Sequence, residues 1–218
     1  MPGLDLDLDL ERTAVFLDFD GTIAVDDVGL HLLERTAPRD AWWALHEQFE
    51  RGELESRDCL VEQWDLVKGD EATLRAIAAE VPVDESFESL VQGLRAAGAR
   101  VAVVSDGFGF YVPAVCAPLD LDVYTNDVDF ASRALVFPHE DRCCPCSSCG
   151  VCKQAPLKDA RYEGFTTVLV GDGLSDRKAA GLADVVFAKG SLARWCRMGG
   201  VPAVEFDTLA DVHAALLG

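Results

Sequence analysis

Four short apolar runs, each leading into a polar loop, constrain this chain more than any other feature. They are TAVFLD at 13–18, RVAVVS at 100–105, TTVLVGD at 166–172 and DVVFA at 184–188. Their apolar stretches are nearly unbroken, the pattern of strands buried on both faces. Helical patterns at 85–97, 174–182 and 207–217 alternate with them. Such alternation predicts an α/β fold with a doubly wound, mainly parallel sheet. Ligands of such sheets bind beyond the carboxyl ends of the strands. The loops DFDGT, SDGFG and GDGLSD all fall there.

Residues 25–83 follow a different pattern. They hold amphipathic helical stretches near 27–36, 39–51, 56–68 and 70–80, punctuated by Pro38, Gly52 and Gly69, and no strand. This predicts a small all-helical cap inserted after the first strand. The core would then comprise 12–24 and 84–218, behind an acidic, poorly ordered lead-in at 1–11. Trp42, Trp43, Trp64 and Phe49 read as the cap's own core, with one or two of them as alternative pocket-lining groups.

Of the 218 residues, 19 are Lys or Arg and 38 are Asp or Glu, a formal charge of −19. So acidic a surface argues against nucleic acid or an anionic membrane as partner. No run approaches the ~18 apolar residues of a membrane span. The opening MPGLDLDLDLER has neither the basic start nor the apolar block of a signal peptide, so a cytoplasmic location is expected. If the substrate is an anion, positive charge must be concentrated locally.

VFLDFDGTI at 15–23 shows how. Asp18 and Asp20, at a strand end before a glycine turn, put two carboxylates in one small volume. Anions that close need a cation, and hard oxygen ligands suit Mg²⁺. Asp172 and Asp176 add carboxylates at another strand end, Ser105 ends a third strand, and Lys153 supplies a fixed positive charge.

Asp18, Ser105, Lys153 and Asp172 with Asp176 occur in the order and context of the haloacid dehalogenase superfamily, which the chain resembles from about residue 12 onward. The resemblance implies a phosphatase in which Asp18 is the nucleophile and Asp20 the acid and base. Mg²⁺ is then held by Asp18, Asp172 and the backbone carbonyl of Asp20, with Asp176 supporting its water shell. It also implies that Ser105, Lys153, Thr22 and amides near Gly21 and Asp106 surround the phosphoryl oxygens of a small phosphorylated metabolite. The all-helical cap is similar to the phosphoserine-phosphatase-like group, but Gln63 stands where that group has a carboxylate-binding arginine, with Arg57 two turns away. A catalytically silent binding protein on the same fold is the alternative, and it would be favoured by loss of a core aspartate or the lysine. None is lost.

RCCPCSSCGVCK at 142–153 runs straight into Lys153 and is similar to the methionine-salvage branch of that group, whose substrate is an enol phosphate. Cys143, Cys146, Cys149 and Cys152 follow a C-x2-C-x2-C-x2-C spacing, with Cys144 spare. The spacing suits structural Zn²⁺, thiols or a disulfide without metal, or an iron–sulfur cluster. In each case the expected role is a brace for Lys153. Cys59, Cys116 and Cys196 read as packing residues, and His31, His46, His139 and His213 as surface or capping residues.

Overall fold

A computed structural model of the chain describes residue 6, residues 8–142 and residues 148–218. Seven strands make one sheet: β1 (Thr13–Leu17), β2 (Arg100–Phe108), β3 (Asp122–Asp129), β4 (Ala134–Val136), β5 (Thr166–Gly171), β6 (Val185–Ala188) and β7 (Val204–Glu205). Their order is β4-β3-β2-β1-β5-β6-β7, and every pair is parallel except β3 with β4. The chain builds outward from β1 through β2 to the β4 edge, then returns to the other side of β1 with β5. That reversal lies between β1 and β5, where a crevice opens at the carboxyl ends.

The helices are α1 (Val28–Thr36), α2 (Arg39–Glu50), α3 (Ser56–Leu66), α4 (Glu71–Ala78), α5 (Phe87–Ala96), α6 (Val112–Cys116), α7 (Gln154–Tyr162), α8 (Arg177–Ala180), α9 (Gly190–Gly199) and α10 (Leu209–Leu217). Alternation along the strands feeds two cores. Val15, Leu17, Val101 and Val168 pack with Leu90 and Leu94 of α5 and Leu209 of α10. Ala14, Phe16, Val104 and Leu169 pack on the other face with Leu157 of α7 and Leu192 of α9. Burial on both faces explains why these strands read as unbroken apolar runs.

Helices α1–α4 lie in sequence between β1 and β2. Asp27 and Asp70 start α1 and α4 by accepting from the backbone amides of Leu30 (2.8 Å) and Thr73 (2.9 Å). Trp42 and Trp64 are buried, whereas Trp43 is 43% exposed. Trp64 does not stay within the cap. Its ring sits 5.4 Å from Phe108 and 6.3 Å from Phe110, and its Nε1 donates to the Arg133 carbonyl at 2.8 Å. Its burial thus ties the helices to the sheet.

One local expectation changes. The stretch 174–182 forms only the short α8, because the loop before it folds inward to bury Asp176 completely. Near the start of the chain, Leu6, Leu8 and Leu10 are partly buried against the core. Among the described residues no helix is long and apolar enough to cross a membrane.

Candidate active site

The site begins where β1 ends. The Asp18 amide still donates to the Val170 carbonyl at 2.9 Å, extending the sheet register by one residue. The residue is buried, and Oδ1 accepts from the Phe19 amide at 2.7 Å. The chain then turns sharply through Gly21, whose φ of +71° lies in the left-handed region. A Cβ there would stand 2.5 Å from Asp172 Oδ2. Gly21→Ala therefore combines backbone strain of about 1–2 kcal/mol with displacement of a site carboxylate. The expected result is a lower Tm together with a loss of kcat. An unchanged Tm and kcat would show that the turn relaxes freely.

Asp172 and Asp176 enter from the loop after β5. Asp176 Oδ2 accepts from the amides of Asp172 (3.2 Å) and Gly173 (3.1 Å), which fixes the loop around it. Lys153, 4% exposed, closes the group. Its Nζ lies 2.7 Å from Asp18 Oδ1 and 2.7 Å from Asp176 Oδ1. Burial opposes its charge, yet Asp176, Asp18 and Asp106 together hold the Lys153 pKa above its ordinary value. The charged form of Lys153 is the favoured one.

One ammonium does not balance three carboxylates. Asp18, Asp172 and Asp176 each offer an oxygen, all within 4.8 Å of one another. Burial, then Asp176, pushes the Asp18 carboxyl well above the usual range, and the same two causes push Asp172 up to about 7. Carboxylates that resist ionising together in an all-oxygen pocket fit a hard divalent cation.

Asp20 has a separate set of partners. It accepts from the Val28 amide (3.1 Å) and from the hydroxyls of Ser105 and Tyr111 (3.3 Å each). Burial, followed by Asp27, raises its pKa to about 8. A carboxyl biased toward its protonated form can serve as a general acid. Ser105 is fully buried, and its Oγ accepts from the Gly107 amide at 2.9 Å.

Above these groups a cavity of about 350 Å³ is walled by Asp18, Asp20 and Asp172 below and by α1, α2 and α3 above. His46, Phe49, Glu50 and Gln63 face it from the helices. His46 is thus a cavity residue and not a surface or capping one. Arg57 is engaged elsewhere: its guanidinium donates to Glu140 at 2.8 Å and lies 4.1 Å over the Phe137 ring. Thr22 is fully buried and does not line the cavity, and its hydroxyl has no hydrogen-bond partner among the described residues.

Of the proposed cysteine brace, Cys143 and Cys146, with Cys144, lie outside the described residues. Cys152 is buried, and Cys149 is half-buried with Lys178 Nζ 3.8 Å from its sulfur. Both border a smaller pocket beside Lys153. Sequence reasoning missed Tyr111, His46 and the side chain of Asp106 as site residues. Tyr111 and Asp106 follow Ser105 in the string SDGFGFY, but nothing in that string says which side chains turn inward.

The fold and this constellation define a haloacid dehalogenase-like hydrolase. The model of that family matches residues 15–181, and the chain belongs to it. Among curated relatives, a 2-hydroxy-3-keto-5-methylthiopentenyl-1-phosphate phosphatase of Exiguobacterium sp. is 28% identical over 94% of this chain and 98% of its own. One of Bacillus pumilus is 27% identical over 94% of this chain and 91% of its own. Phosphoserine phosphatase from T. onnurineus superposes with a TM-score of 0.72 at 21% identity, covering 98% of this chain and 99% of that one. A phosphoserine phosphatase carrying a phospho-aspartyl intermediate analogue also gives 0.72, at 20% identity over 92% and 96%. These two likenesses concern the fold.

Proposed function

We propose that the chain is a Mg²⁺-dependent phosphatase that hydrolyses a small, uncharged-tailed phosphate monoester through phosphorylated Asp18. The observation that carries this reading is the buried triangle of Asp18, Lys153 and Asp176, with Asp20 two residues further along the same turn. Asp18 attacks phosphorus as the bond to the leaving oxygen breaks, and Asp20 gives that oxygen its proton. Asp20, now a carboxylate, then takes a proton from water. The water oxygen attacks phosphorus, releasing inorganic phosphate and restoring Asp18. Lys153, Ser105 and the amides near Gly21 and Asp106 hold the phosphoryl oxygens. Asp18, Asp172 and the Asp20 carbonyl would hold Mg²⁺, with Asp176 behind them. When bound, the ion supplies positive charge against the phosphoryl group.

The leaving group is read from the cavity wall. Arg57 is committed to Glu140, Gln63 is neutral, and Glu50 and Asp27 are acidic, so a substrate carboxylate meets no lysine or arginine from the helices and two acidic groups. A neutral thioether chain suits Phe49 and Leu60 instead, in keeping with the substrate named for the methionine-salvage relatives. The buried thiols Cys59, Cys116 and Cys196 suit a reducing cytoplasm.

The test is to measure kcat/KM for 2-hydroxy-3-keto-5-methylthiopentenyl-1-phosphate and for phosphoserine, with MgCl₂ and with excess EDTA. The neutral substrate should win by roughly tenfold or more, a cost of ~1.4 kcal/mol for the unpaired carboxylate. Activity should vanish in EDTA and return with MgCl₂. Preference for phosphoserine would overturn the assignment of the leaving group, and full activity in EDTA would overturn the metal dependence.

A pH profile checks Asp20 separately. Its raised pKa keeps the acid form present at neutral pH and lost as pH rises through about 8. For an alkyl phosphate, whose leaving oxygen needs a proton, kcat/KM should fall on the alkaline side. An Asp20→Asn variant should lack that limb and be slow throughout. A wild-type profile flat to high pH would remove Asp20 from the acid role.

A further inference from the structure

The loop that delivers Lys153 is held at both ends of its described part, and one side chain joins the two holds. Asp106 Oδ1 accepts from the Val151 amide at 2.7 Å, and Asp106 Oδ2 accepts from the Ser56 hydroxyl at 2.6 Å. Val151 lies two residues before Lys153. Ser56 is the first residue of α3, so a carboxylate sits at that helix's positive end. The next amide of α3, that of Arg57, donates to the Ser148 carbonyl at 3.1 Å. Asp106 itself is fixed from β3, because the fully buried Asn126 donates from Nδ2 to its carbonyl at 2.7 Å. Gly150 passes so close that a Cβ would stand 3.0 Å from Asp106 Oδ1 and 2.7 Å from Leu60 of α3. Loop, sheet and cap therefore meet at one carboxylate.

We propose that Asp106 is a positioning residue that couples the seating of α3 to the placement of Lys153 against Asp18. The inference rests on Lys153 acting as the phosphate-site cation. A cap helix lifted from the core withdraws Ser56 and the Arg57 amide, leaving Val151 anchored from one side only. A cap seated over a bound substrate restores both arms, and the ammonium returns to its 2.7 Å contacts. Site geometry this tight is sensitive to sub-ångström displacement of a charged group.

The experiment compares wild type, Asp106→Ala, Asp106→Asn, Ser56→Ala and Lys153→Met, using p-nitrophenyl phosphate with MgCl₂. Asp106→Ala should lower kcat by roughly tenfold to a hundredfold with a smaller change in KM. Asp106→Asn keeps an acceptor for Val151 and a polar partner for Ser56, and should recover most of that loss. Ser56→Ala should lower kcat in the wild-type background and add nothing in the Asp106→Ala background. Calorimetric binding of inorganic phosphate completes the cycle without needing turnover: Asp106→Ala should weaken it when Lys153 is present and have no further effect in Lys153→Met. Equal additive losses in both backgrounds would mean that Asp106 does not act through Lys153, and an Asp106→Ala enzyme with wild-type kcat would overturn the proposal. A Ser56→Ala enzyme with wild-type kcat would overturn the coupling to the cap. If Lys153→Met itself retains full turnover and phosphate binding, the fault lies with the proposed function, a result distinct from those failures.

Discussion

Asp18→Asn should lower kcat by roughly three orders of magnitude or more, the scale seen when a single essential catalytic group is removed. The amide is nearly isosteric and can still accept from the Phe19 amide, so the turn after β1 keeps its hydrogen bond. What it lacks is the negative charge that the proposed mechanism directs at phosphorus. Without added metal, Tm should stay the same or rise, because one of three crowded like charges has gone and Lys153 keeps its 2.7 Å contact with Asp176. Kinetics and calorimetry on one preparation check both halves. A variant that loses activity and also unfolds would speak for a structural carboxylate, and one that retains near-wild-type kcat would refute nucleophilic catalysis at Asp18.

Lys153→Met should combine a kinetic loss with a stability loss. Removing one positive group aimed at the phosphoryl oxygens costs roughly a hundredfold to a thousandfold in kcat. The side chains of Asp18 and Asp176 are 6% and 0% exposed and would lose their shared partner. Breaking a buried ion pair from one side costs about 3–5 kcal/mol. Mg²⁺ should recover part of that stability and little of the rate, because cations restore charge balance among the aspartates but not the ammonium's position. A Lys153→Met enzyme with wild-type Tm in metal-free buffer would show that the triangle carries no such strain.

The parts legible in the sequence share a physical cause. Strands β1, β2, β5 and β6 are buried on both faces and so read as continuous apolar runs, and parallel sheets gather polar loops at one edge. Asp18, Ser105 and Asp172 could therefore be placed together before any coordinates. The cap helices were legible from amphipathic spacing, with ends within about two residues of those found. Strand β3 was not, because its residues DVYTNDVD mix exposed and buried positions without an apolar run. Helices α7 and α9 also went unread. The cysteine spacing before Lys153 predicts a brace for that lysine. Among the described residues, the Val151 amide two positions before Lys153 is held by Asp106 across 45 positions of chain, while Cys143 and Cys146 lie outside them. Backbone amides carry no sequence signal, so contacts of this kind emerge only from the fold. Tyr111 and His46 were missed for the same reason: each is one polar group in an otherwise ordinary helix or loop, and tertiary packing alone turns it toward the cavity.

The covalent step at Asp18 is the centre of this account. It can be read directly by mixing enzyme with p-nitrophenyl phosphate and MgCl₂, quenching in acid within a turnover, and mapping phosphorylated peptides by mass spectrometry. The expected result is one acid-stable, base-labile phosphoryl group on the peptide bearing Asp18, absent from Asp18→Asn. Turnover with no phosphorylated peptide, or with the label on any other residue, would contradict it.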